Sequence, residues 1–445
     1  MSALVWMHRD LRLQDNPALA HAVRHHASVE VVYAWSDAVF GDWMPGAAQR
    51  WWIHEHLMRV ASALSQRGIR FTLTTDSPVN LVAGGGYMAV YWNEPITPAA
   101  RALGQSMTMQ CRKEGTDMRV FSGDLLHDPD AIRTQKGDPY RVFTPFYRSF
   151  LAGVPVSMPV ALPDMPPAPA AAAAQLEGEA HAAIDALALV PDHAWVSKVA
   201  SHWEAGEDAA MQQLKQFVDG PVLDYDTGRN RPDREGSSRL SPYLAIGVLS
   251  PRQVWHETSR RHVMDGSPAT FLKEIGWREF GYHLLYHFPG TVSGPLNPSW
   301  NGFPWRDDAE GLRAWQRGET GYPIVDAGMH ELWNTGWMHN RVRMIVASFL
   351  TKDLLVSWQA GAAWFWDTLI DADLASNTLG WQWAAGCGAD AQPFFRIFNP
   401  DSQQKTHDPK GQYVRQWTRG RAMPIVDHAE ARARALAVYQ AFRDA

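Results

Sequence analysis

The sequence predicts two unlike units in series, a doubly wound, Rossmann-like parallel α/β domain and then an all-α domain, and three observations carry that prediction. Short apolar runs recur five times between residues 3 and 121, with amphipathic stretches between them. Beyond residue 200 this pattern gives way to helical periodicity. Between the two, a proline- and alanine-rich stretch at 155–176 has the composition of a linker. The expected boundaries are 1–130 for the α/β domain, 131–200 for a long interdomain linker and 201–445 for the helical domain.

The five strands are expected at ALVWM (3–7), VEVVYAW (29–35), IRFTLTT (69–75), YMAVYW (87–92) and MRVF (118–121). Near-continuous apolar runs are what a parallel sheet covered on both faces requires. The stretches Arg50–Gln66 and Thr97–Cys111 are long enough to be right-handed crossover helices. The first strand opens onto His8, Arg9, Asp10, Leu11 and Arg12 in place of a glycine-rich turn, which weakens a dinucleotide-binding reading of this half. Gly84, Gly85 and Gly86 precede a strand and read as a turn, and the run Ala170–Ala174 belongs to the linker. Helices follow at Ala209–Val218, Ala269–His287, Gly328–Trp337, Asn340–Leu355 and Gly361–Leu369, with no internal repeat.

At 46% apolar and 20% charged residues, the 445-residue chain falls outside the disordered, collagenous and coiled-coil classes. Its apolar run through Phe365, Leu369 and Leu374 is cut by Asp367, Asp371 and Asp373, so no membrane span is expected. The opening MSALVWMHRD turns charged at His8 and Arg9 before a signal-peptide core develops, and a cytoplasmic protein is expected. Cys111 and Cys387 stand alone, which leaves no disulfide framework and no Cys-ligated zinc or iron–sulfur site. Redox chemistry would therefore need an organic cofactor. A formal charge of −6 argues against indiscriminate polyanion binding yet leaves room for a local basic groove. Twelve of the 21 tryptophans crowd into residues 255–383, which raises the question of electron transfer beside that of core packing.

Four segments carry candidate chemistry. FLKEIGWREF sets Glu274, Trp277, Arg278 and Gly281 on one helical face. MHNRVRMIVASFL sets Asn340 and Met344 on one face, with Arg341 and Arg343 elsewhere, at the polar start of a helix that enters the core. LIDADLASNTLGWQW interleaves Asp371, Asp373 and Asn377 with apolar residues ahead of Trp381 and Trp383, and buried acids need charged or hydrogen-bonding partners. DTGRNRPDREGSSRLSPYL offers Gly236, Ser237, Ser238 and Ser241 with basic neighbours, which suit a phosphate cradle and serve equally as helix caps.

In order and wording these segments resemble the C-terminal domain of the photolyase/cryptochrome flavoproteins, and the likeness spans nearly the whole chain. VWMHRDLRLQDNPAL is similar to the family's opening strand and loop. EGSSRLSPYLAIGVLSP, EIGWREF, TGYPIVDAGM, GWMHNRVRM, LIDADLASN and FFRIFNP are similar to its later signatures. The resemblance implies an N-terminal antenna domain and a helical domain that holds FAD. Around the phosphates and adenosine side it implies Tyr225, Ser237, Ser238, Leu240 and Arg278, with Ser241 and Phe271 in the same cofactor-binding set. At the isoalloxazine end it implies Asn340, Arg343, Asp371, Asp373 and Asn377, with Arg343 and Asp371 as a neutralising pair and Asn377 facing the central-ring nitrogen. A neutral amide there suits a flavin kept reduced and anionic, and plant-type photoreceptors of the family carry Asp instead.

The same resemblance implies a lesion pocket of Glu274, Trp277, Asn340, Met344 and Trp383, as in enzymes that repair cyclobutane pyrimidine dimers; those acting on the (6-4) photoproduct carry a His pair where this chain has Asn340 and Met344. It implies Arg229, Arg341 and Arg396 on the DNA backbone together with Trp277, and Trp381, Trp358 and Trp305 as carriers of an electron from surface to oxidised flavin. His339 reads as a structural imidazole. The implied reaction is light-driven electron transfer from reduced FAD to a dimer flipped out of damaged DNA, with return of the electron, in a monomer that needs no metal. A second, antenna chromophore is implied, a folate, a deazaflavin or another flavin; Met44 and Ala100 stand where one type of folate-binding relative has His and Glu. Trp51 and Trp52 are expected in the core. The alternatives are a blue-light cryptochrome photoreceptor, a (6-4) photolyase and a dark nicotinamide-linked oxidoreductase.

Overall fold

The computed structural model describes residues 2–444 apart from 154, 193, 419, 421 and 422. Five parallel strands, β1 (Ser2–Met7), β2 (Val29–Ala34), β3 (Arg70–Thr74), β4 (Tyr87–Asn93) and β5 (Asp117–Phe121), form one sheet in the order β3-β2-β1-β4-β5. Strand β1 shows why it reads as an unbroken apolar run. Ala3, Val5 and Met7 face the core under the helices Pro17–His25 and Ala47–Ser65, while Leu4 and Trp6 face the core under Pro98–Glu114. Side chains alternate across the pleat, so both faces must be apolar when both are covered. Gly85 and Gly86 turn with positive φ ahead of β4, as their place in the sequence predicts.

Two large cores lie in the helical half. One is continuous with the core over the sheet and reaches through Leu214, Phe217, Phe271, Ile275 and Phe280. The other lies among the helices Pro323–Thr335, Asn340–Ser348, Trp358–Thr368 and Leu374–Ala385. Trp51 and Trp52 are buried, with Trp52 Nε1 donating to the Pro242 carbonyl (3.0 Å). Among the described residues no helix is long and apolar enough to cross a membrane.

Two expectations are corrected. The stretch 131–200 is not a bare linker: it holds the helices Phe143–Ala152, Ala170–Ala186 and Trp195–Ala200. The alanine run opens the second of these. Alanine is the best helix former once the prolines at 166, 167 and 169 have passed, and Ala180 and Ile184 are buried on the side that packs against Ala47–Ser65 and β3. The helix expected at Asn340–Leu355 is α-helical only to Ser348 and continues as a π-helical turn, Phe349–Asp353.

The charged loop after β1 joins the two halves. Arg12, fully buried, donates to the carbonyls of Asp15 (3.0 Å), Gly247 (2.7 Å) and Gly123 (2.7 Å) and lies 3.7 Å from Asp124. Asp15 accepts from Arg252 Nε (3.0 Å) and Ser250 Oγ (2.5 Å), and Arg9 Nη2 reaches Asp373 (2.6 Å). Each buried cation thus meets several acceptors, the condition on which a buried charge is tolerated. Gly247 sits at φ +71°, and a Cβ there would lie 1.7 Å from the Arg9 carbonyl oxygen, so the chain crossing admits glycine alone.

Candidate functional site

Two clusters of the candidate residues form where the helical elements meet. The first surrounds Trp337, at the end of the turn after Pro323–Thr335. Its Nε1 donates to Ser241 Oγ (3.2 Å), and the guanidinium of Arg239 lies 5.0 Å from its ring and 4.9 Å from that of the neighbouring Trp203. Arg239 adopts φ +53° within the Gly236–Ser241 loop, and its guanidinium rests against the two neighbouring indoles, which helps to hold this loop. Arg343 also lies over Trp337 at 5.9 Å, donates through Nε to the Met338 carbonyl (2.7 Å) and pairs through Nη2 with Asp371 (2.7 Å). Asn377, one turn into Leu374–Ala385, uses its Nδ2 to bond the Ala362 carbonyl (3.0 Å).

The acids of LIDAD divide. Asp371 takes Arg343, whereas Asp373 caps the next helix through Ser376 N (2.8 Å) and receives Arg9 and the Tyr282 hydroxyl from the other side. Burial would raise the Asp373 carboxyl, but Arg9 and Arg278 hold it below its ordinary range. Arg278 lies over the Tyr282 ring and donates to the Asp124 carbonyl (3.0 Å), so it too serves the junction with the sheet domain. Asp373 and Arg278 are therefore placed together, apart from the bonds that tie Asp371, Arg343, Trp337 and Ser241. Leu240 is buried at the start of the short helix Ser241–Ala245. Phe271 and Tyr225 are buried edge to face, 5.4 Å between centroids.

The second cluster is partly open. Glu274 pairs with Arg229 (2.5 Å), each side chain about a quarter exposed, and Arg229 lies over Tyr225 at 5.4 Å. Burial raises the Glu274 carboxyl above its usual range while Arg229 opposes the rise. Arg341 donates through Nε (3.2 Å) and Nη2 (2.5 Å) to Asn230 Oδ1, whose own carbonyl bonds His407 Nδ1 (3.0 Å). His339 caps the Asn340–Ser348 helix by accepting from Arg341 N (3.2 Å). Burial, then Arg341 and Arg343, push its imidazole down to about 3, so it is neutral, in keeping with a structural role. Asn340 and Met344 stand one turn apart on that helix, exposed and half-buried. Trp277 stacks on Phe143 at 3.6 Å and 7°. Trp383 is half-buried against the second core, and Arg396 is exposed with no bond to the Arg229 or Arg341 groups among the described residues.

The three tryptophans grade outward. Trp381 and Trp358 are buried and Trp305 is half-buried. The indole of Trp381 lies against Gly361, three residues past Trp358, where an added Cβ would meet Cη2 at 2.1 Å.

Sequence reasoning missed Arg239, Trp337 and Asn230. Arg239 stands inside the very EGSSRLS segment singled out for its hydroxyls, and its isolated cation among small residues was a readable signal; Trp337 and Asn230 act through partners far away in the chain. A flavin dinucleotide fits this donor set. Arg239 Nε and Asp371 Oδ1 are buried without a hydrogen-bond partner among the described residues, the first beside the Ser237 and Ser238 loop that suits a pyrophosphate and the second beside Arg343.

Comparisons with known proteins agree. A family model described as DNA photolyase matches residues 3–170, and one described as the FAD binding domain of DNA photolyase matches 271–420. The deoxyribodipyrimidine photo-lyase of Agrobacterium fabrum is 41% identical, over 99% of this chain and 98% of its own. Cryptochrome-2 of Arabidopsis thaliana is 34% identical over 93% of this chain and 70% of its own. The crystal structure of a bacterial class III photolyase from Agrobacterium tumefaciens superposes with a TM-score of 0.90 at 40% identity, covering 100% of this chain and 98% of that one.

Proposed function

The chain belongs to the DNA photolyase/cryptochrome family and is an FAD-binding enzyme of its photo-lyase branch, and from that premise we propose that it repairs cyclobutane pyrimidine dimers in DNA. The observation that carries the substrate is the open face where Asn340 and Met344 lie one turn apart on a helix start whose next residue, Arg341, ties it to Asn230. An amide and a thioether there offer no imidazole pair to a (6-4) lesion, and they suit the flat, apolar walls of a pyrimidine dimer.

Bound FAD supplies light absorption and, when reduced, one transferable electron. Every other task falls to the chain. Ser237, Ser238 and Arg239 would hold the pyrophosphate by hydroxyl and charge-assisted bonds. The Arg343–Asp371 pair and the Asn377 amide would hold the cofactor's ring end, where the guanidinium would compensate negative charge. Glu274 accepts hydrogen bonds from the polar edges of the flipped bases, and its partly buried carboxylate is oriented by Arg229. Arg229, Arg341 and Arg396 take phosphates, so affinity is salt-dependent and indifferent to sequence. Trp381, Trp358 and Trp305, graded from buried to half-buried, would be the chain's electron carriers toward the site. A second, light-harvesting chromophore belongs to the α/β domain.

The test is anaerobically reduced protein with thymine-dimer oligonucleotide, followed by recovery of base absorbance under blue light against a dark control. Light-dependent recovery is expected; bound, reduced FAD with no recovery overturns the substrate and brings the photoreceptor and (6-4) readings forward. Glu274→Ala should lower the repair yield about tenfold or more, the loss of one transition-state hydrogen-bonding group, while FAD content stays at the wild-type level. Arg341→Ala should weaken binding to damaged DNA and reduce its salt slope by about one. An unchanged slope in a binding titration would remove Arg341 from the DNA contact.

A further inference from the structure

The helix Phe143–Ala152, in the stretch between the two domains, lays two rings over consecutive residues of the helix Gly266–His287, which bears Glu274 and Trp277. Tyr147 covers Gly276, where an added Cβ would meet its Cε2 at 2.4 Å, so the ring fits there only because residue 276 has no side chain. Phe143, one turn earlier and 2% exposed, stacks on Trp277 with 3.6 Å between centroids and 7° between planes, and on Tyr147 at 5.3 Å and 19°. A separation of 3.6 Å is about the van der Waals distance itself, so Phe143 and Trp277 meet with almost no lateral offset. Aromatic pairs left to themselves prefer offset or edge-to-face contact. The arrangement is therefore imposed by the two backbones, and that of the shorter helix has an identifiable anchor. Its N-cap, Val142, supplies no side-chain cap. The Phe143 amide instead donates to Asp390 Oδ2 (2.6 Å), from the loop that follows Trp383, and the carboxylate meets the positive end of the helix. Asp390 is exposed and sits at φ +44°, a conformation that a residue without a glycine's freedom keeps only where its surroundings enforce it.

We infer that Phe143, anchored by Asp390, is a positioning residue for lesion recognition: it fixes the plane in which Trp277 meets a flipped pyrimidine dimer. The inference rests on the reading of Trp277 and Trp383 as walls of the lesion pocket. Trp277 is half-buried, so part of its indole stays open while the stack holds its plane. A base gains from an indole only when the two rings lie parallel at contact distance, and an indole free to tilt loses part of that gain to ordering at each encounter. The two bases of a dimer are covalently joined and cannot turn separately to follow a tilted wall. The loss therefore falls on dimer binding, whereas intact DNA, held through its phosphates, is indifferent to it. The short helix also links the two walls, since it stacks on Trp277 and takes its anchor from the loop after Trp383.

The experiment is a dark titration of the FAD-loaded protein with matched oligonucleotides, one holding a thymine dimer and one intact, read by fluorescence anisotropy and followed by the repair yield per absorbed photon at saturating dimer. Phe143→Leu should weaken dimer binding about three- to tenfold, the worth of one stacked aromatic pair, and leave intact DNA bound as before. Its repair yield at saturation should change by less than about twofold, since a dimer once seated reacts as in the wild type. Trp277→Ala should weaken dimer binding about tenfold or more, and adding Phe143→Leu to it should have no further effect, because the ring then has no indole to position. A ring that served the fold alone would lower FAD content and both affinities together. Asp390→Ala, a surface change that leaves both rings in place, should reduce the preference for dimer in the same direction, and it decides the matter where Phe143→Leu fails to bind FAD. Additive losses in the double variant overturn the assignment, as does an unchanged dimer affinity in Phe143→Leu and Asp390→Ala alongside a loss in Trp277→Ala. If Trp277→Ala itself binds dimer as the wild type does, the lesion-pocket reading falls, and the role of Phe143 with it.

Discussion

Gly247→Ala is expected to unseat the sheet domain from the helical half and to strip the protein of bound FAD, although Gly247 belongs to neither residue cluster of the site. Its new Cβ would be driven into the Arg9 carbonyl, 1.7 Å away, at a φ of +71° that an L-residue resists by about 1–2 kcal/mol. The clash cannot be relieved locally. The Gly247 carbonyl binds Arg12, and Arg9 binds the Ala245 carbonyl and the Asp373 carboxylate, so any retreat loosens two buried cations together. Breaking a buried ion pair costs about 3–5 kcal/mol, a large part of the stability of an ordinary domain. Asp373 caps the helix that bears Asn377 and Trp381, which is how a distant methyl group reaches the residues proposed to face the cofactor. Chemical denaturation with flavin fluorescence as a second probe measures both effects. A variant within about 1 kcal/mol of the wild type, retaining its FAD, would show that the two halves are not coupled through this crossing.

That coupling marks the limit of what the sequence discloses. The inner strands β1, β2 and β4 were legible because a sheet covered on both faces needs apolar residues at nearly every position, and such runs are local, whereas the edge strands β3 and β5 carry polar, partly exposed residues and are marked by shorter apolar runs. The run Ala170–Ala174 misled because composition alone cannot tell a loose alanine stretch from the first turn of a helix; here docking of Ala180 and Ile184 on a neighbouring helix and strand decides the matter. Asp371 and Asp373 look interchangeable in LIDAD, since two acids among apolar residues need partners of some kind. Only the fold reveals that Arg9, 364 residues earlier, claims one of them and Arg343 the other. Arg239 went unremarked because its significance lies in two tryptophans, Trp203 and Trp337, that reach it from different parts of the chain. Short-range pattern thus disclosed the elements and the residue types of the site, while the pairings that orient those residues depend on contacts across the chain.

Arg343→Ala is expected to be the most damaging single change within the candidate site, and to act through what it leaves behind. The Asp371 side chain is 2% exposed; its Oδ2 has Arg343 at 2.7 Å and its Oδ1 has no partner among the described residues. Truncating the guanidinium leaves a buried carboxylate with no cation, a loss of about 3–5 kcal/mol, and also frees the Met338 carbonyl that Nε satisfies. The loss of FAD should follow, because the loop bearing Asp371 leads directly into Asp373 and the helix of Asn377. Asp371→Asn is the milder lesion, since an amide keeps an acceptor for Arg343 and carries no charge to strand. The double variant Arg343→Ala, Asp371→Ala removes both charges, and it should recover at least about 2 kcal/mol of the stability lost by Arg343→Ala alone. A thermodynamic cycle over the four proteins, read by denaturation and by flavin content, separates the two contributions. Stability should return in the double variant while FAD remains absent, since the proposed function sets the paired charges beside the ring and nothing replaces them. Full FAD binding by the double variant would place the pair outside the cofactor site and reduce it to a strut between the Asn340–Ser348 helix and the LIDAD loop.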